Sequence, residues 1–473
     1  MALERELKFR LSARAASEVA RALALGAAER FVSIYFDTPD HVLRRARVAL
    51  RLRRAGRRSL QTVKCDLSPL APGEWESKAP GERLDLARFP LAEIRETSGV
   101  DLGALAARLA PQFQTRFARR SVELDFGDAT IEAALDRGAL VAARRRAPIL
   151  ELELELKSGE PRALLRYART LIEPFALQLA LESKAERGYR LAKNEPSAPP
   201  RKWQPVDIAG ATPSEALTRL VSAALAQAGA NAPGVLASDN GEYLHQLRVA
   251  LRRLRALVVA FRALEPKAKG LKRRLRALSP TLGTARDWDV FVASLPKRSA
   301  LLATARRRQS KARVAARALL AGPLFNDFLL YAFQWAERAR WQSPALPLGE
   351  FAAEALERLH GKALKLAERI DWRSPPERHA LRIRVKRLRY ACDSLSPCFL
   401  AAAVEPYLAA LEALQEDLGE LNDIAVARRL AAELDGDAGL ARRLAGHERR
   451  LIGRLSRDWA AFAERWPFWR SRS

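Results

Sequence analysis

The 473-residue sequence is poor in several residue types that usually advertise a function. Three cysteines, Cys65, Cys392 and Cys398, provide neither a disulfide framework nor the C-x-x-C spacing of a zinc site. His41 is the only histidine before residue 194, and no Ser/His or Cys/His pair stands out as a nucleophile and its base. Aromatic residues make up 7% of the chain, and Trp335, Trp341, Trp372, Trp459, Trp466 and Trp469 are scattered. That pattern suits the packing of helix ends better than base stacking, so no specific nucleic-acid module is expected. Long uncharged apolar runs of about 18 residues are missing, and Met1 to Arg10 is charged, so no membrane span or signal peptide is expected. The chain reads as cytoplasmic.

Positive charge is what the sequence has in excess. Lys and Arg number 82 against 55 Asp and Glu, a formal net charge of +27. Such a balance attracts polyanions, whether nucleic acid, anionic membrane or phosphate polymer. Residues 1–200 hold 35 basic against 27 acidic residues, and residues 201–473 hold 47 against 28, so the second part is the stronger attractor. The length exceeds one ordinary core and implies two or three domains. Pro196, Pro199, Pro200, Pro205 and Pro213 mark a linker over 194–213 between domains at 1–193 and 214–473.

Before that linker, short segments alternate with period two: Glu4 to Phe9, Val48 to Arg53, Leu60 to Lys64, Ser121 to Phe126 and Ile149 to Lys157. These read as strands, with turns at Thr38-Pro39-Asp40 and Asp136-Arg137-Gly138 and helices near Ala13–Ala24 and Pro161–Leu177. Alternation sends Glu4, Glu6 and Lys8 to one face, and Glu151, Glu153, Glu155 and Lys157 to one face of another strand. Arg51 and Arg53 share a face of a third, and Lys64 ends a fourth. Like charges stacked along a strand repel unless counter-charges or metal intervene. Faces of this kind turned inward would offer carboxylates to a hard divalent cation and Arg/Lys to phosphate oxygens. A solvated charged face over a leucine core is the plainer reading of any one such strand.

These motifs, in order, resemble the CYTH family, the triphosphate tunnel metalloenzymes. Glu4-x-Glu6-x-Lys8 resembles its N-terminal signature, with Tyr35-Phe36-Asp37-Thr38-Pro39, Leu50-Arg51-Leu52-Arg53 and Gln61-Thr62-Val63-Lys64 after it. Ile131-Glu132, Asp136-x-Gly138, Glu151 to Gly159 and Ser183-Lys184-x-x-Arg187-Gly188-Tyr189 complete it. The resemblance covers 1–193 and implies an eight-stranded antiparallel β-barrel forming a tunnel. It implies Glu4, Glu6, Glu151, Glu153 and Glu155 as ligands of Mg²⁺ or Mn²⁺. It implies Lys8, Arg51, Arg53, Lys64, Arg119, Lys184 and Arg187 as triphosphate ligands, with Glu4, Glu6, Lys8 and Lys64 nearest the chemistry. In one departure, Gly73-Glu74-Trp75-Glu76 replaces a segment where relatives often carry an Arg before a Trp-Glu pair, with Arg83 as a substitute.

After the linker, Ala, Leu, Arg and Glu recur with period 3.6, so this part is expected to be helical throughout and arranged in bundles. It also repeats itself: 134 residues separate His245 from His379, and 136 separate Leu282-Gly283 from Leu418-Gly419. The units are expected at about 214–340 and 341–473, packed about a pseudo-two-fold axis. On a helix His245, Arg248, Arg252 and Arg255 form a stripe within about 80°, opposite Leu247, Leu251, Leu254 and Val258. His379, Arg382, Lys386 and Arg389 do the same in the second copy. Lys269, Lys272, Arg273 and Arg276 add a further basic face. Crowded cations cost a helix a few tenths of a kcal/mol per pair, roughly. A polyanion, or ion pairs with Asp287, Asp289 and Asp423, would relieve them.

The paired histidines, the stripes, Arg286-Asp287-x-Asp289 and Asn422-Asp423 resemble the CHAD family, a helical fold of two four-helix bundles whose basic groove binds inorganic polyphosphate. The resemblance covers 214–473, and the CYTH–CHAD order is itself a known combination. The implied fold class is therefore α+β multidomain, and the implied function is inorganic triphosphate hydrolysis with polyphosphate held by the helical part at polyphosphate granules. Two alternatives stand: a triphosphatase or cyclase acting on an organic triphosphate, and a silenced barrel that only binds polyphosphate. Either half could carry a homodimer interface.

Overall fold

The computed structural model describes residues 2–3, 5–65, 73–79, 81, 83–195, 198–264, 268–339, 346–434 and 438–470. Two compact units emerge, Met1–Pro200 with Ala321–Gln334, and Arg201–Leu320 with Trp335–Ser473.

The first unit is built on an antiparallel sheet. Its elements begin with β1 (Ala2–Leu3), β2 (Glu6–Arg10), α1 (Ala13–Ala22), β3 (Glu29–Asp37), α2 (Val42–Arg45), β4 (Val48–Ala55), β5 (Arg58–Cys65) and β6 (Gly73–Lys78). They continue with α3 (Leu91–Ser98), α4 (Leu102–Leu105), β7 (Ala110–Phe126), β8 (Ala129–Ala142), β9 (Arg145–Ser158), α5 (Pro161–Phe175), β10 (Gln178–Leu179) and α6 (Lys184–Lys193). The strand order is β1-β6-β5-β4-β3-β7-β8-β9-β2-β10. The sheet holds ten segments where eight strands were expected, with β1 paired only to β6 and β10 only to β2 at its two ends.

Two helices cover the outer face of this sheet. Leu7 and Phe9 of β2 and Leu152 and Leu154 of β9 are buried, and α1 and α5 pack on β9 with Val19, Leu164, Leu165 and Ile172 buried. Each such side chain contributes about 1.5–3 kcal/mol by leaving water. The alternation that buries the leucines sends the glutamates to the opposite face. Ser12 caps α1 by accepting from Ala15 N at 3.1 Å, and Ser183 and Glu186 form a capping box that starts α6.

One expected turn is absent: Asp136, Arg137 and Gly138 lie inside β8, which pairs unbroken with β7 from Phe126↔Ala129 to Gln114↔Val141. A Cβ at Gly138 would overlap Arg116 O and Phe117, so this glycine serves close strand approach instead of a reversal.

Beyond the linker the described chain is helical: α7 (Pro213–Ala237), α8 (Gly241–Ala260), α9 (Lys269–Ser294), α10 (Leu302–Ala321), α11 (Pro323–Ala339), α12 (Leu348–Ala367), α13 (Pro375–Leu395), α14 (Ala401–Ala432) and α15 (Ala438–Ala463). The duplicated helices pack on one another, α8 on α13 and α9 on α14. Of the described helices only α7 has the length and apolar composition to cross a membrane, and 61% of its apolar window is buried within the protein. Residues 201–203 lie against α7 and α8: Asn231 bonds Arg201 N and O at 3.0 and 2.9 Å, and the Arg253 guanidinium sits 3.9 Å from the Trp203 ring centre.

Candidate functional site

Within the first unit, the charged strand faces and α6 enclose a cavity of about 330 Å³. Glu6 and Lys8 (β2), Arg51 and Arg53 (β4), Lys64 (β5), Arg119 (β7), Glu153 and Glu155 (β9) and Lys184 (α6) all line it. Side chains from five strands thus meet on one wall, as the alternation requires. Gly188 seats α6 against the sheet, since a Cβ there would overlap the Phe113 ring.

Strand register orders the charges. Across β2, β9 and β8, Glu6 stands opposite Glu155 and Glu155 opposite Glu132, a row of three carboxylates. One step along, Lys8 stands opposite Glu153, and beyond that Glu151 faces both Arg10 and Asp136. Directly opposed like charges destabilise a sheet, and lysines answer them here. Lys8 bonds Glu6, while Lys157 reaches Glu132 at 2.8 Å and Glu155 at 2.9 Å. Lys184 bridges Glu153, Asp136 and Glu151 at 2.6, 2.9 and 3.0 Å. Arg119 holds Asp136 at 2.7 Å and also contacts Glu153.

Burial alone would raise the carboxyls and lower the lysines, but the network outweighs it. Glu153 is held well below the usual carboxylate range by Lys184, Arg119 and Lys8 despite its burial, and Glu6 is lowered by Lys8 and Lys64. Lys8 and Lys184 are raised against their burial by Glu6 and Glu153 respectively, with Arg119 raised likewise. Near neutrality these groups are all ionised.

The β4 side is different. Burial and neighbouring Arg51 lower Arg53 to about 10, and its Nε donates to Ser33 Oγ at 3.4 Å. Arg51 and Lys64 share Glu74 of β6 at 3.5 Å each. Arg83 is exposed and does not line the cavity, whereas Glu74, opposite Lys64 in register, faces the basic cluster.

Other expected residues fall elsewhere. Glu4 lies outside the described residues. Glu151 is buried and bonded to Lys184 and Arg187, and Arg187 also donates to Pro148 O at 2.6 Å; neither lines the cavity. His41 stands beside Tyr189, 6.0 Å between ring centres. Glu132 and Asp136 carry no assigned role in the sequence motifs, yet one completes the carboxylate row and the other, fully buried, anchors Arg119 and Lys184. They share parity on β8, but buried Ala133, Ala134 and Leu135 between them leave no polar–apolar alternation to flag it.

As to a metal, the row Glu6–Glu155–Glu132 is an all-oxygen, like-charged donor set, the chemistry that fits a hard divalent cation such as Mg²⁺ or Mn²⁺. Among the described residues no three such side chains already converge on one point.

In the second unit the stripes fall where expected on α8 and α13, with Leu247, Leu251, Leu254, Leu381, Val385 and Leu388 buried beneath them. Among the described residues Arg248, Arg252, Arg382 and Lys386 form no ion pair within 4.0 Å. Asp289 instead binds Arg313 at 2.8 Å, and Asp287 approaches Arg429 at 3.5 Å. Burial with Arg382 and Arg252 pushes Lys386 down to about 6; burial with Arg286 and Arg252 pushes His245 to about 4. Burial with Arg252 lowers Arg248 to about 10. Arg255 is committed to Leu275 O at 2.5 Å, Arg389 to Glu412 at 3.1 Å and His379 Nδ1 to Asn422 Oδ1 at 2.9 Å. On α9 Lys272 is half-buried and Arg273 and Arg276 are exposed.

Comparison with known proteins assigns both parts of the chain to families. Residues 2–189 match the model of the CYTH domain and residues 219–432 that of the CHAD domain. The chain is a two-domain CYTH–CHAD protein. It is 30% identical over 168 residues to the inorganic triphosphatase of Haemophilus influenzae, a match covering 34% of this chain and 46% of that one. This chain therefore spans about half the length of that curated relative. Among solved structures, the CHAD domain from the plant Ricinus communis is 32% identical, covering 55% of this chain and 92% of its own, with a TM-score of 0.45. A proposed adenylyl cyclase of Hippeastrum, described as revealing a dominant triphosphatase activity, is 18% identical, covering 40% of this chain and 95% of its own, with a TM-score of 0.30.

Proposed function

We propose that the sheet unit hydrolyses inorganic triphosphate to pyrophosphate and phosphate with Mg²⁺ or Mn²⁺, and that the helical unit binds polyphosphate. One observation carries the reading: a carboxylate row and an excess of Arg and Lys share the walls of one cavity. In this reading the sheet closes into an eight-stranded tunnel through residues 2–10, whose two pieces pair with β6 and β9. Residues 194–213 link it to two helical bundles related by a pseudo-two-fold axis.

Arg51, Arg53, Lys64 and Lys8 bind the phosphate oxygens and offset charge as the bridging bond breaks. Arg119 and Lys184, fixed by Asp136 and Glu153, hold the chain in line. A water oriented by the carboxylate row attacks the terminal phosphorus, its proton passes to a glutamate of the row, and pyrophosphate departs. Glu6, Glu132 and Glu155, with Glu4 and Glu153 as the other expected ligands, would hold the metal, which would supply Lewis-acid polarisation of phosphate oxygens, while Glu151 stays with Lys184 and Arg187. In the helical unit, His245, Arg248, Arg252, His379, Arg382 and Lys386 form the polyphosphate track, flanked by Arg255, Arg389, Lys272, Arg273 and Arg276.

Phosphate release from triphosphate, ATP, thiamine triphosphate and long polyphosphate, with either metal, tests this. Selective release from triphosphate, reduced at least about 100-fold in Glu6→Gln, is expected, the scale of losing one transition-state contact. Equal activity in Glu6→Gln, or release only from an organic triphosphate, would sink the assignment.

A further inference from the structure

The motif Tyr35-Phe36-Asp37-Thr38-Pro39 contributes only Tyr35 to the cavity wall, and the loop after it is organised around one carboxylate. Asp37 is fully buried, and it accepts Thr38 N at 2.7 Å, Leu43 N at 2.9 Å and Arg44 N at 3.0 Å. The loop so folded brings Arg44, Arg45 and Arg47 to the lining of the cavity. Two of the three are already engaged: Arg44 with Glu195 at 2.8 Å, and Arg45 with Asp40. The Arg47 guanidinium has no partner among the described residues, and it is exposed.

Two further facts single out Arg47. It sits at φ 56°, in the left-handed region where a side chain is disfavoured. It also stands immediately before β4, on the same cavity lining as Ala49, Arg51 and Arg53. Arg53 and Arg51 thus lie within β4 and Arg47 at its entry, at most about 13 Å from Arg51 along the chain. A triphosphate gripped at Arg51 and Arg53 ends before that point, and a longer chain does not.

We propose that Arg47 forms an outer anion subsite that engages the fourth and later phosphates of a linear polyphosphate threaded into the cavity. The inference rests on the triphosphatase reading and adds a substrate class to it: short linear polyphosphates, distinguished from triphosphate by this one guanidinium. Asp37 is a positioning residue for the subsite, acting through the loop.

Arg47→Gly removes the guanidinium while placing glycine where the backbone favours it, so the fold should hold; Arg47→Lys keeps the charge. In the full-length protein with Mn²⁺, kcat/KM for penta- relative to triphosphate should fall about tenfold in Arg47→Gly, the scale of one charged hydrogen bond. Arg47→Lys should recover most of it. An unchanged ratio in Arg47→Gly overturns the subsite while leaving the triphosphatase intact. Should wild type release nothing from triphosphate, the triphosphatase reading fails alone. Titration calorimetry then compares penta- with triphosphate affinity in wild type and Arg47→Gly, each in a Lys386→Met, Arg252→Gln background that weakens binding by the helical unit. An equal ratio there removes the subsite as well.

Discussion

The two units handle positive charge in opposite ways. In the sheet unit most cavity lysines and arginines meet a carboxylate: Lys184 touches three, Arg119 two, and Lys8 bonds Glu6. On α8 and α13 the central cations Arg248, Arg252, Arg382 and Lys386 form no ion pair within 4.0 Å among the described residues, and burial together with neighbouring arginines pushes Lys386 and His245 down. The first arrangement is fixed by its own ion pairs; the second leaves its central cations without a counter-charge among the described residues. A catalytic pocket needs fixed dipoles at the reacting bond. A groove for a flexible polyanion needs unspent charge.

The sharpest way to break this contrast is at Asp136. Asp136→Asn leaves Arg119 and Lys184 short of a buried counter-charge and should cost about 3–5 kcal/mol of sheet-unit stability, read by denaturant unfolding. A loss under about 1 kcal/mol would mean that the network is not preorganised.

Lys386 sets the next largest effect, a response to pH. Because its amine is depressed to about 6 in the folded state, the unfolded chain binds more protons between about 6 and the ordinary lysine value. Helical-unit stability should therefore rise with pH across that window. Polyphosphate favours the protonated amine, so affinity should fall as pH rises from 6 to 8, by up to about tenfold per pH unit. Calorimetry should find proton uptake on binding, and Lys386→Met should flatten the profile.

A smaller effect has the opposite sign to that at Asp136. Arg252→Gln removes a like charge and should stabilise the helical unit by a few tenths of a kcal/mol, roughly, while weakening polyphosphate binding. Smallest of all, Glu74→Gln removes the carboxylate that Arg51 and Lys64 share at 3.5 Å and should tighten triphosphate binding by less than about 1.5-fold. A weaker affinity would mean that Glu74 orients those two cations instead of competing for them.

The two faces of β2 and β9 were legible in the sequence because their alternation is strict, and the leucine faces of α8 and α13 because their period is clean. The duplication likewise pointed to equivalent helices meeting, as α8 and α13 do. Residues joined only by cross-strand register were harder to find. Glu132 and Asp136 sit on β8 among alanines buried on both faces, Ala133 and Ala134, so no polar–apolar alternation flags them. Gly138 misled for a related reason: a glycine kept for close strand approach looks the same as one kept for a turn. Arg187 had the right motif, but α6 carries it toward Glu151 and Pro148, a rotation no linear pattern encodes. Trp203 over Arg253 needed the folded helices before an isolated linker aromatic acquired a meaning.

The ladder Glu6–Glu155–Glu132 also bears on how this protein can change over generations. Each member owes its inward position to an even or odd count along its own strand, and a one-residue slip exchanges the two faces. A single codon lost within β9 would bring Leu152 and Leu154 into the cavity and send Glu153 and Glu155 toward α1 and α5. Substitution can therefore retune the pocket one residue at a time, whereas insertion or deletion within these strands would abolish it in one event. Length variation among descendants of this chain should accumulate in its turns and spare β2, β8 and β9.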